Sequence, residues 1–196
     1  MKIEWKEEKQ AIVLLRDGEE VRKISPRIIS SRDLSGISAS TWEAFEQSLS
    51  LLEEKGGVRL ALRSLSRKSY HSQQMREVLR KHFLPEPIIE TVISWCLEKG
   101  YLDDKLWEEQ RIASLRARGK STKDILFRLS KQGIDSQFSE DETEVLGKLI
   151  LKKYPALLRK DLPYKEKAKT IQALLRRGFS LQDIQKFLSN IYTHLS

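Results

Sequence analysis

The apolar positions of this chain change rhythm near residue 40. Residues 11–15 form an unbroken apolar run, Asp17-Gly18 interrupts it, and apolar positions resume at Val21 and Ile24. Asp-Gly between two apolar runs predicts a β-hairpin, because a type I′ turn needs positive φ at both central residues. Ile3 and Trp5 predict a third short strand. A sheet this small is marginal alone, so it is expected to pack on the helical part of the chain. Residues 24–38 are polar and punctuated and read as a linker holding one helical turn.

From residue 41 the period is helical. Trp42, Phe45, Leu49 and Leu52 recur at spacings of three and four, with Glu43, Glu46, Glu53 and Glu54 on other faces. Ser40, with Glu43 three residues later, predicts the N-cap, and Gly56-Gly57 predicts the end of that helix.

A weak internal repeat then organises the chain. Leu65, Ser69, Met75 and Leu79 stand at the same offsets as Leu115, Gly119, Ile125 and Leu129, and as Leu174, Gly178, Ile184 and Leu188. A basic residue lies three beyond each starting leucine: Lys68, Arg118 and Arg177. Ser121/Asp124 and Ser180/Asp183 repeat at offsets six and nine; the first copy has His71 and Gln74 there, and Ser72 is a possible cap one residue on. Each copy predicts a helix, a tight turn and a capped second helix. Glycine closes the turn in the left-handed region, serine caps the next helix, and the cation faces the negative end of the first helix dipole.

A third helix is expected after the first two copies, from the stripe Ile89, Val92, Ile93, Cys96 and the stripe Val145, Leu146, Leu149, Ile150. The last copy has room for little beyond two helices, the second extended by Ile191 and Leu195. The expected organisation is an N-terminal β-hairpin extension and linker over 1–38 and a connecting helix over 39–57. Helical repeats occupy 58–103, 104–155 and 156–196, the last one short. Small units of this kind gain stability by stacking, which predicts a mainly α, elongated and curved array of tandem three-helix repeats.

Composition narrows the function. The 196 residues are 39% hydrophobic and 33% charged, and 36 Lys/Arg against 28 Asp/Glu give a net charge of +8. That excess favours a polyanionic or acidic partner. A single cysteine excludes an intramolecular disulfide and a cysteine-rich zinc site. No apolar run is long enough to cross a bilayer, and Met1-Lys2-Ile3-Glu4 begins no secretory signal, so the expected location is the cytoplasm.

No catalytic, cofactor-binding or metal-binding constellation is legible. His71, His82 and His194 are scattered and read as surface or turn residues. Cys96 reads as a buried structural thiol, Asp103-Asp104 as a helix cap, and Trp5, Trp42, Trp95 and Trp107 as core aromatics. The remaining chemistry is cationic. Basic residues gather near the repeat turns, and the candidates for partner or DNA contact are Arg63, Arg67, Lys68, Arg111, Arg116, Arg118, Lys120, Arg128, Arg176 and Arg177. Arg59 and Arg159-Lys160 lie beside these groups. Such residues either complete helix dipoles on a solvated surface or form an electropositive track for phosphates or acidic side chains.

Residues 98–104 (EKGYLDD) resemble the Gly-Tyr-Leu-Asp-Asp junction of the RecX regulatory proteins. Upstream, Leu65-Ser66-Arg67-Lys68-Ser69-Tyr70 resembles that family's first helix end and Arg-rich turn. Downstream, Arg118-Gly119-Lys120-Ser121 and Lys131-Gln132-Gly133-Ile134-Asp135 resemble its second unit. The likeness covers about residues 58–190 and accommodates a strand-rich N-terminal extension. Trp107 and Glu108 depart from the aromatic-alanine pair usual after the Asp-Asp.

The resemblance implies a non-enzymatic regulator of the recombinase RecA, acting in DNA repair, recombination and the SOS response, and the chain is expected to be monomeric. It would lie in the groove of the RecA–single-stranded DNA filament, inhibit strand exchange, ATP hydrolysis and repressor cleavage, and promote disassembly. Direct contact with single-stranded DNA would be secondary, with no membrane and no cofactor involved. The alternative is a general nucleic-acid-binding helical protein acting through its basic face.

Overall fold

The computed structural model describes residues 2–139, 141–159 and 161–194, with the backbone alone for 192–194. The expected roles of Lys160 and Leu195, and the side chain of His194, lie outside the described residues. The chain forms two compact units, residues 1–107 and 108–196.

The first unit opens with an antiparallel sheet in the order β1 (Ile3–Glu7), β2 (Ile12–Arg16), β3 (Glu19–Ile24). Asp17 and Gly18 both have positive φ, 50° and 89°, as the hairpin requires. Pairing slips between Leu14 and Leu15, which face Arg22 and Glu20, so Val21 is the extra residue of a bulge. Residues 11–15 are all buried, and the sheet shares one core with the helices of this unit.

A short helix, α1 (Ser31–Ser35), carries a reciprocal cap between Ser30 and Asp33. The stretch expected to be a polar linker is therefore only half that, because Ile28, Ile29 and Leu34 are among the most buried side chains of the unit.

Helix α2 (Trp42–Leu65) begins one residue later than expected, with Thr41 Oγ1 accepting from the Ala44 amide at 3.2 Å. It also does not stop at Gly56-Gly57. It runs 24 residues straight through them and across the expected boundary at 57/58. The glycines are there for close approach. A Cβ at position 56 would overlap the Ile28 carbonyl oxygen, and one at position 57 would lie 2.9 Å from a Val92 methyl. Helices α3 (Ser72–Arg80) and α4 (Glu86–Glu98) complete the bundle, with Met75, Leu79, Ile89, Val92, Ile93 and Cys96 facing inward as their spacing predicts. Arg22 Nη2 donates to Glu53 Oε1 at 2.5 Å and ties β3 to α2.

Helix α5 spans Asp104–Ala117, and the second unit holds α6 (Thr122–Ser130), α7 (Glu142–Lys153), a 3₁₀ turn (Pro155–Leu158), α8 (Tyr164–Leu175) and α9 (Leu181–His194). Leu115, Ile125, Leu129, Leu174, Ile184 and Leu188 are buried at the repeat offsets. The structure differs from expectation over α7. Its Leu146, Leu149 and Ile150 join Leu174, Phe179, Ile184 and Leu188 in one core, and Gly147 sits against the Phe187 ring. Helix α7 thus packs with α8 and α9, giving the last copy three helices.

Candidate partner-binding surface

The turns that carry the cations are fixed by caps. In the first copy His71, and not Ser72, is the N-cap: its Nδ1 accepts from the Gln73 amide at 3.1 Å, and its own amide donates to Gln74 Oε1 at 3.3 Å. Ser72 is buried behind it. Its amide and hydroxyl both donate to the Asp104 carboxylate, each at 2.6 Å. Asp103 caps its own helix by accepting from the Leu106 amide at 2.9 Å. The Asp-Asp pair thus caps two different helices. In the later copies Ser121 and Ser180 cap as expected, accepting from the Asp124 and Asp183 amides at 3.1 and 3.0 Å.

The second and third turns are in contact with each other. The Ser121 amide donates to the Arg177 carbonyl at 3.0 Å, and Arg177 Nη1 donates to the Arg118 carbonyl. Gly178, at φ 94°, lies where any Cβ would overlap Ser121 Oγ.

These contacts sort the ten candidate cations. Arg63, Arg67, Lys68, Arg118 and Arg176 present their side chains to solvent. Lys68 Nζ lies 4.4 Å from the centre of the Tyr70 ring. Four of the others, Arg116, Lys120, Arg128 and Arg177, are engaged with other groups of the chain. Arg116 donates to the Lys120 carbonyl at 2.7 Å and to Thr122 Oγ1, and lies 3.6 Å from Glu142. Lys120 and Arg128 converge on Asp124 at 3.2 and 2.8 Å. Burial alone would raise the Asp124 carboxyl, but these two cations outweigh it and hold it below the ordinary carboxylate range. Arg111 is half-buried, with Nε shut off from solvent and without an acceptor among the described residues. Arg177 is spent on the turn contact and on Tyr154, whose hydroxyl lies 3.4 Å from Nε. Of their neighbours, Arg59 donates to the Ile28 carbonyl at 3.0 Å and Arg159 pairs with Asp161 at 2.8 Å.

A cleft of about 750 Å³ lies between α5 and α7. Ile112, Ala113, Ala117, Phe138, Val145 and Leu149 supply its apolar lining, with Lys148, Lys152 and Lys153 at the edge. Sequence reasoning missed it because periodicity gives the inward stripe of a helix but not the gap left between two helices.

The other candidates stay structural. Burial pushes the Cys96 thiol up, away from reactivity. Burial, with Arg27 nearby, holds His82 below its ordinary value, and its Nδ1 lies 3.0 Å from Ser25 Oγ. Both described histidines are held internally rather than left on the surface. Among the described residues no group of three His, Cys, Asp or Glu could hold a metal ion, and no helix is long and apolar enough to cross a membrane.

Capped three-helix bundles and an N-terminal three-stranded sheet define a helical-repeat protein with exposed arginines at its turns. A model of the third three-helix domain of RecX matches residues 140–188, the span of α7, α8 and most of α9. The chain is 32% identical over 149 residues to the regulatory protein RecX of Cronobacter sakazakii, covering 66% of this chain and 88% of that one. It belongs to the RecX family of regulatory proteins.

The regulatory protein RecX of Vibrio vulnificus is 29% identical over 138 residues, covering 66% of this chain and 89% of that one. Two crystal structures share the fold. One, of a regulatory protein RecX, has a TM-score of 0.56 at 16% identity over 95% of this chain and 96% of that one. The other, RecX from Lactobacillus salivarius, has a TM-score of 0.52 at 24% identity over 71% and 97%.

Proposed function

We propose that this protein binds the RecA–single-stranded DNA filament and restrains its recombinase, ATP-hydrolysing and coprotease activities, promoting filament disassembly in the control of DNA repair and recombination. The observation that carries this reading is membership of the RecX family over 88% of a curated regulator's length. The partner is inferred from the resemblance of residues 58–190 to that family, whose members act on RecA. The chemistry agrees with it. Five exposed cations at or beside the repeat turns, Arg63, Arg67, Lys68, Arg118 and Arg176, suit an assembly whose surface is rich in phosphate and carboxylate. The protein acts as a monomer in the cytoplasm, without cofactor or catalysis, and protein contacts dominate over contacts to the DNA.

The test is DNA-dependent ATP hydrolysis by RecA. Substoichiometric amounts of this protein are expected to suppress it. Hydrolysis that stays unchanged at equimolar protein would refute the reading.

A further inference from the structure

The second helices of the three repeat copies share a core pattern but not a surface. On α6 the buried side is Ile125 and Leu129, while Phe127 on the opposite side is 57% exposed. Lys131 Nζ lies 4.7 Å from the centre of that ring. Lys123, four residues before Phe127, lies on the same side of the helix and is exposed. Between residues 120 and 131 stand four cations, Lys120, Lys123, Arg128 and Lys131, against one carboxylate, Asp124. Asp124 is occupied by Lys120 and Arg128. Lys123 and Lys131 have no carboxylate partner among the described residues.

The equivalent place on α3 is Glu77, and on α9 it is Lys186. On α3 the basic side chains are already neutralised, Arg76 by Glu90 at 2.7 Å and Arg80 by Glu77 and Glu86 at 2.5 Å each. At the equivalent positions of the three second helices, only α6 carries an aromatic ring beside lysines that have no carboxylate partner among the described residues.

From this juxtaposition we infer that Phe127, flanked by Lys123 and Lys131, is a stacking platform for single-stranded nucleic acid. A phenylalanine ring has no hydrogen-bonding group, so beyond its cation–π contact with Lys131 it can gain only by burial or by stacking. A base offers a face to stack on, and its flanking phosphates match the two lysines, which stand about 12 Å apart along the helix axis. An acidic protein surface would match the lysines but offers no such regular face. Duplex DNA would match them too, but its bases are already stacked, so the platform discriminates in favour of single strands. The biological setting of this site rests on the filament reading; the binding itself does not.

The experiment uses the full chain and a fluorescent 15-nucleotide oligothymidylate, without RecA, and tracks anisotropy over a range of salt. Phe127→Ala is expected to weaken binding by roughly 5- to 150-fold with the salt slope unchanged. Phe127→Trp is expected to restore it. Lys123→Ala and Lys131→Ala are each expected to make the slope shallower by about 0.7. Thermal unfolding of Phe127→Ala is expected to match the parent, because the ring is exposed. The assignment is overturned if the parent does not bind the oligonucleotide, if Phe127→Ala binds it equally well, or if duplex binds as tightly as single strand. It is overturned too if Phe127→Ala loses filament binding alone, which would make the ring a protein contact. Suppression of RecA hydrolysis by the parent is read separately, so failure here leaves that reading standing.

Discussion

Arg177 donates through its guanidinium to the main-chain carbonyl of Arg118, its counterpart in the preceding repeat copy. Two residues equivalent in sequence thus play unequal parts: one reaches inward to hold the neighbouring turn, and the other offers a carbonyl and sends its side chain to solvent.

The inequality separates fold from function at these two positions. Arg177→Ala is expected to destabilise the chain by about 1–2 kcal/mol, through loss of a charged hydrogen bond across the turns. Arg118→Ala is expected to leave stability within about 0.5 kcal/mol, since its carbonyl remains. Urea unfolding of both variants measures this. Equal losses would mean that the turn contact does not contribute.

Gly56 gives an expectation of unusual sign. On an exposed helix, Gly→Ala stabilises by about 1 kcal/mol. In α2 the new methyl would overlap the Ile28 carbonyl oxygen, a rigid backbone atom. Gly56→Ala is therefore expected to destabilise by about 1–3 kcal/mol, as overpacking does. A rise in melting temperature would show that the α2 contact with residue 28 is loose.

Glu53 links stability to pH. Its side chain is 1% exposed, and burial outweighs the attraction of Arg22 to hold the carboxyl above its ordinary value of 4.5. The folded state therefore keeps the proton to higher pH than the unfolded chain does. Its contribution to stability is fullest below about 4.5 and falls as pH rises toward the folded value. Glu53→Gln is expected to flatten the decline above about pH 4.5, and to be at least as stable as the parent at pH 7. Parallel stability curves for the two proteins across that range would contradict this.

Leu129 and Leu188 occupy the same offset in the second and third copies and are both buried. Replacement of either by alanine is expected to destabilise by about 2–5 kcal/mol, measured by denaturant midpoint at constant slope. A loss below about 1 kcal/mol at either site would detach that copy from the repeat register.

The features legible from residue order alone are local ones. Asp17-Gly18, the caps Ser121 and Ser180, and the apolar pairs spaced four apart each encode their structure within a few neighbouring residues, and all three are realised. The caps expected at Ser40 and Ser72 fall instead to Thr41 and His71. Gly56-Gly57 misleads because its cause is an atom 28 residues away, the Ile28 carbonyl. Arg177 looks like a surface cation because its acceptor lies 59 residues distant, and a main-chain carbonyl leaves no mark in a sequence. His71 is legible only in part: imidazole can accept like a serine hydroxyl, yet it is rarely chosen as a cap. The apolar stripe of α7 says that the helix is half-buried but not against which neighbours. Phe127 is visible as a residue, and its exposure is not.

The filament reading meets its most direct test in the salt dependence of binding, measured side by side on RecA–single-stranded DNA filaments and on the naked strand. Four lysines or arginines gripping phosphates would give a slope of log K against log salt of roughly −2.8. Binding to the filament is expected to be tighter and clearly shallower in slope than binding to the naked strand, because protein contacts carry it. Equal affinity and equal slope on both would contradict the account and leave a nucleic-acid-binding protein with no particular claim on RecA.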